Sequence, residues 1–244
     1  MGNLFFLHSL NLGTNSFYGE IPLEVGRLIR LRDLTLTNNF LQGQIPVNLS
    51  QCSNLINLAL DNSRLEGPIP FELGSLSRLV TFSLYHNNLI RKILTSIGNL
   101  SALRVFIIEN NNLEGEISDA ISQMTSLTDF QVGGQHGLSS SKSLILLSSS
   151  NRFTGPIPVS LSNASSLQEV EFGRNIFIGN IPINLCNLKI LYRLSFTNYI
   201  LGIGFDDTSF LTFLTNCSQL QYIDISKISS RVHCLTQFPI CQSN

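Results

Sequence analysis

The sequence predicts an α/β solenoid: a curved, right-handed superhelix of short coils with a parallel sheet on its concave side. Three observations predict it. Leu7, Leu31, Leu55, Leu79, Leu103 and Leu127 fall 24 residues apart. Each opens the same pattern, L-x-x-L-x-L-x-x-N-x-L-x-G-x-I-P-x-x-L-x-x-L, and that pattern stays in register along nearly the whole chain. A period of this length means stacked units, each burying its apolar edge only against its neighbours, so function lies on the surface the stack creates.

Each part of the coil has its own physical reason. Leu31, Leu34 and Leu36, at the first, fourth and sixth positions, include the period-two alternation of one short strand that points apolar side chains into the stack. The ninth position holds Asn15, Asn39, Asn87, Asn111, Asn151 and Asn175. An amide there has two donors and an acceptor for backbone groups as the chain leaves the strand, so stacked copies should form a ladder. Gly19, Gly43, Gly67, Gly115, Gly155 and Gly179 permit the bend that follows. Ile21-Pro22 and its equivalents return the chain in extended form, and leucines such as Leu73 and Leu76 close the coil through short helical turns on the convex side.

This pattern resembles the plant-specific form of the leucine-rich repeat, and the L-x-G-x-I-P segment carries the resemblance. More narrowly, Leu201-Gly202, Asp206-Asp207, Phe210-Leu211 and Leu214-Thr215-Asn216-Cys217-Ser218 resemble one late coil of the plant receptor-like kinases that sense bacterial flagellin and elongation factor. The resemblance implies a secreted repeat ectodomain joined to one membrane span and a cytoplasmic serine/threonine kinase. It also implies extracellular perception of a peptide or protein ligand, in defence or development, at the outer face of the plasma membrane, with a co-receptor ectodomain as a further partner.

About nine coils fill residues 1–228, and residues 229–244 form an unpatterned tail. Met1-Gly2-Asn3-Leu4 occupies the phase of Ile97-Gly98-Asn99-Leu100, so the chain is expected to be an internal fragment. Its uncapped ends would favour association between chains. Leu127 to Leu167 spans 40 residues, and removing residues 135–150 joins Gly134 to Asn151 in register. Those serine-rich residues read as an inserted loop, either a functional island or a gene-model relic.

Composition excludes several classes. A net charge of −1 leaves no nucleic-acid footprint. No apolar run reaches the roughly 18 residues of a membrane span, and no signal peptide or myristoylation motif opens the chain. Kinase motifs and a phosphate loop are missing, so the chain is expected not to be an enzyme, and the parent's kinase would lie elsewhere. Five cysteines and four scattered histidines do not form a zinc set, and no cofactor is expected. Cys52 and Cys217 sit at apolar phases and are expected as buried free thiols, with Cys186 in the same part of the coil. Cys234 and Cys241 lie close enough in sequence to close a small loop in an oxidising compartment.

Four N-x-S sequons occur at Asn48, Asn99, Asn163 and Asn216. The last three share one phase, where glycans would leave the strand face open, although the same residues also make good turn chemistry. The candidate ligand face is the outward set on each strand. It turns acidic in the middle, with Glu109, Asp129, Gln131, Glu169 and Glu171 suited to a basic stretch of an extended peptide. Tyr85 and His86 add flat contact area, and Arg174 and Arg193 are placed to grip a carboxylate. Against this stands a plain solvated face. Three functions therefore remain: part of a receptor-like kinase ectodomain, a secreted protein resembling the polygalacturonase inhibitors, and a truncated product without its own function.

Overall fold

The computed structural model describes residues 4–133, 151–197 and 215–226. Nine short strands, one per coil, open the coils: Ser9–Asn11, Asp33–Thr35, Asn57–Ala59, Thr81–Ser83, Val105–Ile107, Asp129–Gly133, Glu169–Phe172, Arg193–Ser195 and Tyr222–Asp224. They pair in parallel in coil order to form one nine-stranded sheet. Equivalent positions lie side by side, as in Asp33↔Asn57 and Leu34↔Leu58. The strands are short because the eighth position of the coil turns left-handed. Thr14, Asn38, Asn62, His86, Asn110 and Arg174 all sit there with φ between 50° and 56°. Among these residue types asparagine and, less strongly, histidine tolerate that region, so the stack imposes the turn on Thr14 and Arg174.

A second parallel sheet of six strands runs alongside the first: Tyr18–Glu20, Phe40–Gln44, Arg64–Gly67, Asn88–Arg91, Asn112–Gly115 and Arg152–Phe153. The sequence read this segment only as an extended return. Positive-φ glycines such as Gly43 and Gly67 lie within these strands and turn the chain outward. Among the described residues seven 3-10 helices of five residues follow, and five of them are entered through proline, as in Phe71–Ser75 after Pro70. Proline suits that entry because its φ is fixed and it lacks an N–H that would otherwise go unpaired. Leu94 and Ser118 take the same extended entry without the ring, and the Ser118 hydroxyl accepts from the Ala120 N–H instead.

The core is one continuous column. Leu31, Leu34, Leu55, Leu58, Leu79 and Leu103 are fully buried, each worth roughly 1.5–3 kcal/mol of burial. From coil 4 the fourth position changes from leucine to phenylalanine. Phe82, Phe106 and Phe130 then stack ring on ring at 5.6 and 5.9 Å.

The asparagine side chains stitch coil to coil. Asn111 donates to the carbonyls of Leu84, Ile108 and Glu109 at 2.9–3.1 Å, and its oxygen accepts the Leu89 N–H at 3.0 Å. Asn39, Asn87 and Asn175 repeat this four-bond pattern. Asn15, in the first coil, is exposed, and its side chain bonds only to carbonyls of its own coil. Coil 3 breaks the run, because Ser63 stands at the ladder position and its buried hydroxyl finds no partner. Asn151 donates to Val132 and Ile108 at 2.8 Å, which closes the sixth coil across a sequence gap of 19 residues. A register shift between Gln131 and Gly133 accompanies that closure.

The cysteines require a correction. Cys52 is a buried free thiol, but Cys217 is joined to Cys186, with Cα atoms 4.4 Å apart. Cys186 occupies the coil position of Gly26, Gly74 and Gly98, where successive coils approach closely. A Cβ added at Gly74 would lie 2.3 Å from the Ser96 carbonyl oxygen. A cysteine at that phase reaches the next coil, which the reading of single phases overlooked. Residues 135–150, Asp206, Asp207, Cys234, Cys241 and the tail 229–244 lie outside the described residues.

Candidate functional site

Strand alternation sends the third and fifth positions of each coil out of the nine-stranded sheet. In coils 6, 7 and 8 these residues form two rows across the strands: Asp129, Glu169 and Arg193, then Gln131, Glu171 and Ser195. The second row continues to Asp224 of coil 9. Arg193 bridges the rows by pairing with Glu171 at 3.1 Å, the sole ion pair among the described residues. The Tyr192 hydroxyl donates to Glu169, and the Thr128 hydroxyl donates to Asp129 at 2.9 Å.

The expected outward set divides by burial. His86 is exposed, whereas Tyr85, Asp129, Glu169, Arg174 and Arg193 are half-buried. Glu109, Gln131 and Glu171 are buried, and Glu109 is 0% exposed. Glu109 is therefore no direct contact for a ligand, contrary to its expected place on the outward face. It stands at the seventh position, where the chain is already turning inward, and glycines occupy that position in the next two coils, Gly133 and Gly173. Burial, then the charge of Glu171, then a hydrogen bond to Glu171 push its carboxyl up to about 8, with Arg193 opposing. As an anion Glu109 would have no donor to meet its oxygens. As a neutral acid it donates to Glu171. Burial also raises Glu171, offset first by Arg193, and burial and Asp129 raise Glu169.

Tyr85 and His86 lie in coil 4, apart from the acidic rows, with ring centroids 5.8 Å from each other. His86 and Arg174 share the left-handed position just beyond the strand, a conformation that no motif in the repeat announces. Tyr192, Tyr222 and Asp224 belong to the same neighbourhood and were not singled out. Their rows become visible only once coils 7 to 9 are aligned, since Leu191 and Leu220 are 29 residues apart. Of the sequon residues, Asn99, Asn163 and Asn216 are exposed and Asn48 is half-buried. Asn99 and Asn163 end 3-10 helices, and Asn48 lies within one. No metal-binding cluster of His, Cys, Asp or Glu occurs among the described residues. No described helix is long and apolar enough to cross a membrane.

The Leucine Rich Repeat family model matches residues 30–52. The fold is a leucine-rich-repeat solenoid. No curated protein matches the chain. Among solved structures, the chain is similar to the plant peptide hormone receptor RGFR1 in complex with RGF2. The TM-score is 0.77 at 28% identity, covering 91% of this chain and 34% of that one. It is similar to the ectodomain of the plant membrane receptor kinase GASSHO1/SCHENGEN3 from Arabidopsis thaliana in complex with CASPARIAN STRIP INTEGRITY FACTOR 2, with TM-score 0.74, 28% identity and coverage of 93% and 28%. It is also similar to the Arabidopsis receptor kinase HAESA in complex with the peptide hormone IDA and the co-receptor SERK1, with TM-score 0.70, 30% identity and coverage of 80% and 30%. The chain thus spans about a third of the length of these receptors.

Proposed function

We propose that this chain is a non-catalytic, ligand-binding part of a plant leucine-rich-repeat receptor kinase ectodomain. An extended peptide, or an extended segment of a protein, lies across the nine-stranded face. The observation that carries the reading is the pair of rows in coils 6 to 8, where in-register strands set charged groups at each inter-coil step of roughly 4.8 Å. Similarity to receptors solved with peptide hormones supports it. Asp129 and Glu169 would favour a basic stretch of ligand, with Tyr85 and His86 as flat contacts and Arg174 and Arg193 available to a carboxylate. Buried Glu171 holds Arg193 in place, and buried Gln131 extends the second row beside it.

The parent would act at the extracellular face of the plasma membrane, carry glycans on Asn48, Asn99, Asn163 and Asn216, and recruit a co-receptor ectodomain. The make-up of the eighth coil favours the flagellin and elongation-factor receptor subfamily, and with it a role in defence. Titration with extended synthetic peptides tests the reading, comparing Lys/Arg-bearing sequences with Gln-substituted controls. The basic peptides should bind about tenfold more tightly, and Asp129→Asn or Glu169→Gln should each remove about tenfold, equivalent to about 1.4 kcal/mol. No preference for basic peptides, or affinities indifferent to both substitutions, would overturn it.

A further inference from the structure

Coil 4 keeps the 24-residue spacing but departs from the repeat in its L-x-G-x-I-P segment. Leu89-Ile90-Arg91-Lys92-Ile93-Leu94 stands where coil 3 has Leu65-Glu66-Gly67-Pro68-Ile69-Pro70. Arg91 keeps the backbone of the glycine it replaces, with φ of 73° against 76° at Gly67 and 80° at Gly115. A side chain in that conformation is strained, and strain held by a fold gathers where function needs it. Packing does not explain the arginine, because its side chain is exposed. Arg91 and Lys92 open onto a pocket of about 740 Å³ that Arg152, from coil 6, also lines. That volume falls within the roughly 300–1,000 Å³ of small-molecule sites.

None of the three cations has an ion-pair or hydrogen-bond partner among the described residues. The one acid in the lining, Glu114, stands in register with Arg152 yet forms no ion pair with it. Three positive groups against one carboxylate leave the pocket electropositive, while Leu94 and Ile176 give it apolar walls. The strands of coils 4 and 6 lie two steps apart, about 10 Å. Two guanidinium groups on such a base suit a ligand with two or more oxyanion groups, which arginine grips in bidentate fashion.

We propose that this pocket on the six-stranded sheet is a binding site for a small multivalent oxyanion, held by Arg91 and Arg152 with Lys92 between them in the lining and its carbon frame against Leu94 and Ile176. The site is separate from the nine-stranded face and stands or falls independently of peptide binding there. A phosphorylated small molecule and a carboxylate-bearing oligosaccharide share the required chemistry.

Calorimetric titration of the full chain with tripolyphosphate, and separately with a triuronate, tests the site and distinguishes the two sources. At least one probe should bind saturably, more weakly at high salt. Arg91→Gly and Arg152→Gln should each weaken binding about tenfold, whereas Arg27→Gln, an exposed cation elsewhere, should leave it unchanged. Arg91→Gly should also melt no lower than the parent, since glycine relieves the strained backbone, so its lost affinity is not lost folding. Tripolyphosphate binding identifies the phosphate class, and triuronate binding alone identifies the saccharide. Neither probe binding, binding indifferent to both pocket substitutions, an equal loss in Arg27→Gln, or a lower melting temperature for Arg91→Gly would overturn the proposal.

Discussion

Glu109 is buried where its carboxyl is held above the usual carboxylate range, and this ties the stability of the fold to pH. The unfolded chain ionises it at the ordinary value of 4.5, whereas the fold holds its proton up to about 8. Between those values the folded state binds more protons than the unfolded state. Stability therefore falls as pH rises through the window, by about 1.4 kcal/mol per pH unit for one group, and levels off above it. Glu171 and Glu169 are raised as well and act in the same direction, while Arg193 opposes. The chain should resist urea better at pH 5 than at pH 8. Glu109→Gln keeps the shape and a donor for Glu171 without the charge, so it should remove most of that difference, and equal pH slopes in the two proteins would refute the assignment. The sequence revealed the carboxylates of this cluster but not which of them were buried. Exposure at the seventh position depends on the glycines of later coils, which no single coil displays.

At the scale of the element, the asparagine ladder and the second sheet show what a motif does and does not convey. The amide positions were legible because a polar residue recurring among leucines must meet backbone groups. The six-stranded sheet was not: its L-x-G-x-I segment alternates, as in Arg64–Gly67, but the glycine and the proline after it read as a bend and an extended return, and its pairing follows from stacking. Replacing Asn111 by Ala leaves the Leu89 N–H without its partner, while the Leu84 carbonyl keeps only the Asn87 amide. The loss should be about 1–3 kcal/mol for each buried group left unmatched. Asn112→Ala, one residue outside the ladder, should cost much less. In coil 3 the same logic runs in reverse: Ser63→Asn should supply the missing rung and stabilise by about 1 kcal/mol, provided the larger amide fits as it does in the neighbouring coils. Urea denaturation of the three variants tests both directions, and equal losses at Asn111 and Asn112 would end the ladder interpretation.

For the whole molecule, a solenoid's stability is close to a sum of coil and interface terms, so a change matters according to how many interfaces it interrupts. The period announced this architecture because it repeats without regard to distant contacts. Features peculiar to single coils stayed hidden: the Cys186–Cys217 link, the phenylalanine stack that begins at coil 4, and the basic pocket around Arg91 each arise from a departure meeting its neighbour. The sixth coil gives the sharpest test of the additive view. Asn151 reaches Val132 and Ile108 at 2.8 Å, and its oxygen accepts from Leu113 at 3.0 Å, as in the uninterrupted coils. These bonds between coils 5 and 6 come from residues outside 135–150. We expect deletion of residues 135–150 to leave the urea midpoint unchanged or higher, because closing a shorter loop costs less entropy, by about 0.6 kcal/mol per halving of its length. Proteolysis of the intact chain should cut first within the same stretch and release fragments that stay associated. If the deletion instead abolished cooperative unfolding, those residues would form part of the stack and coil 6 would require a different register.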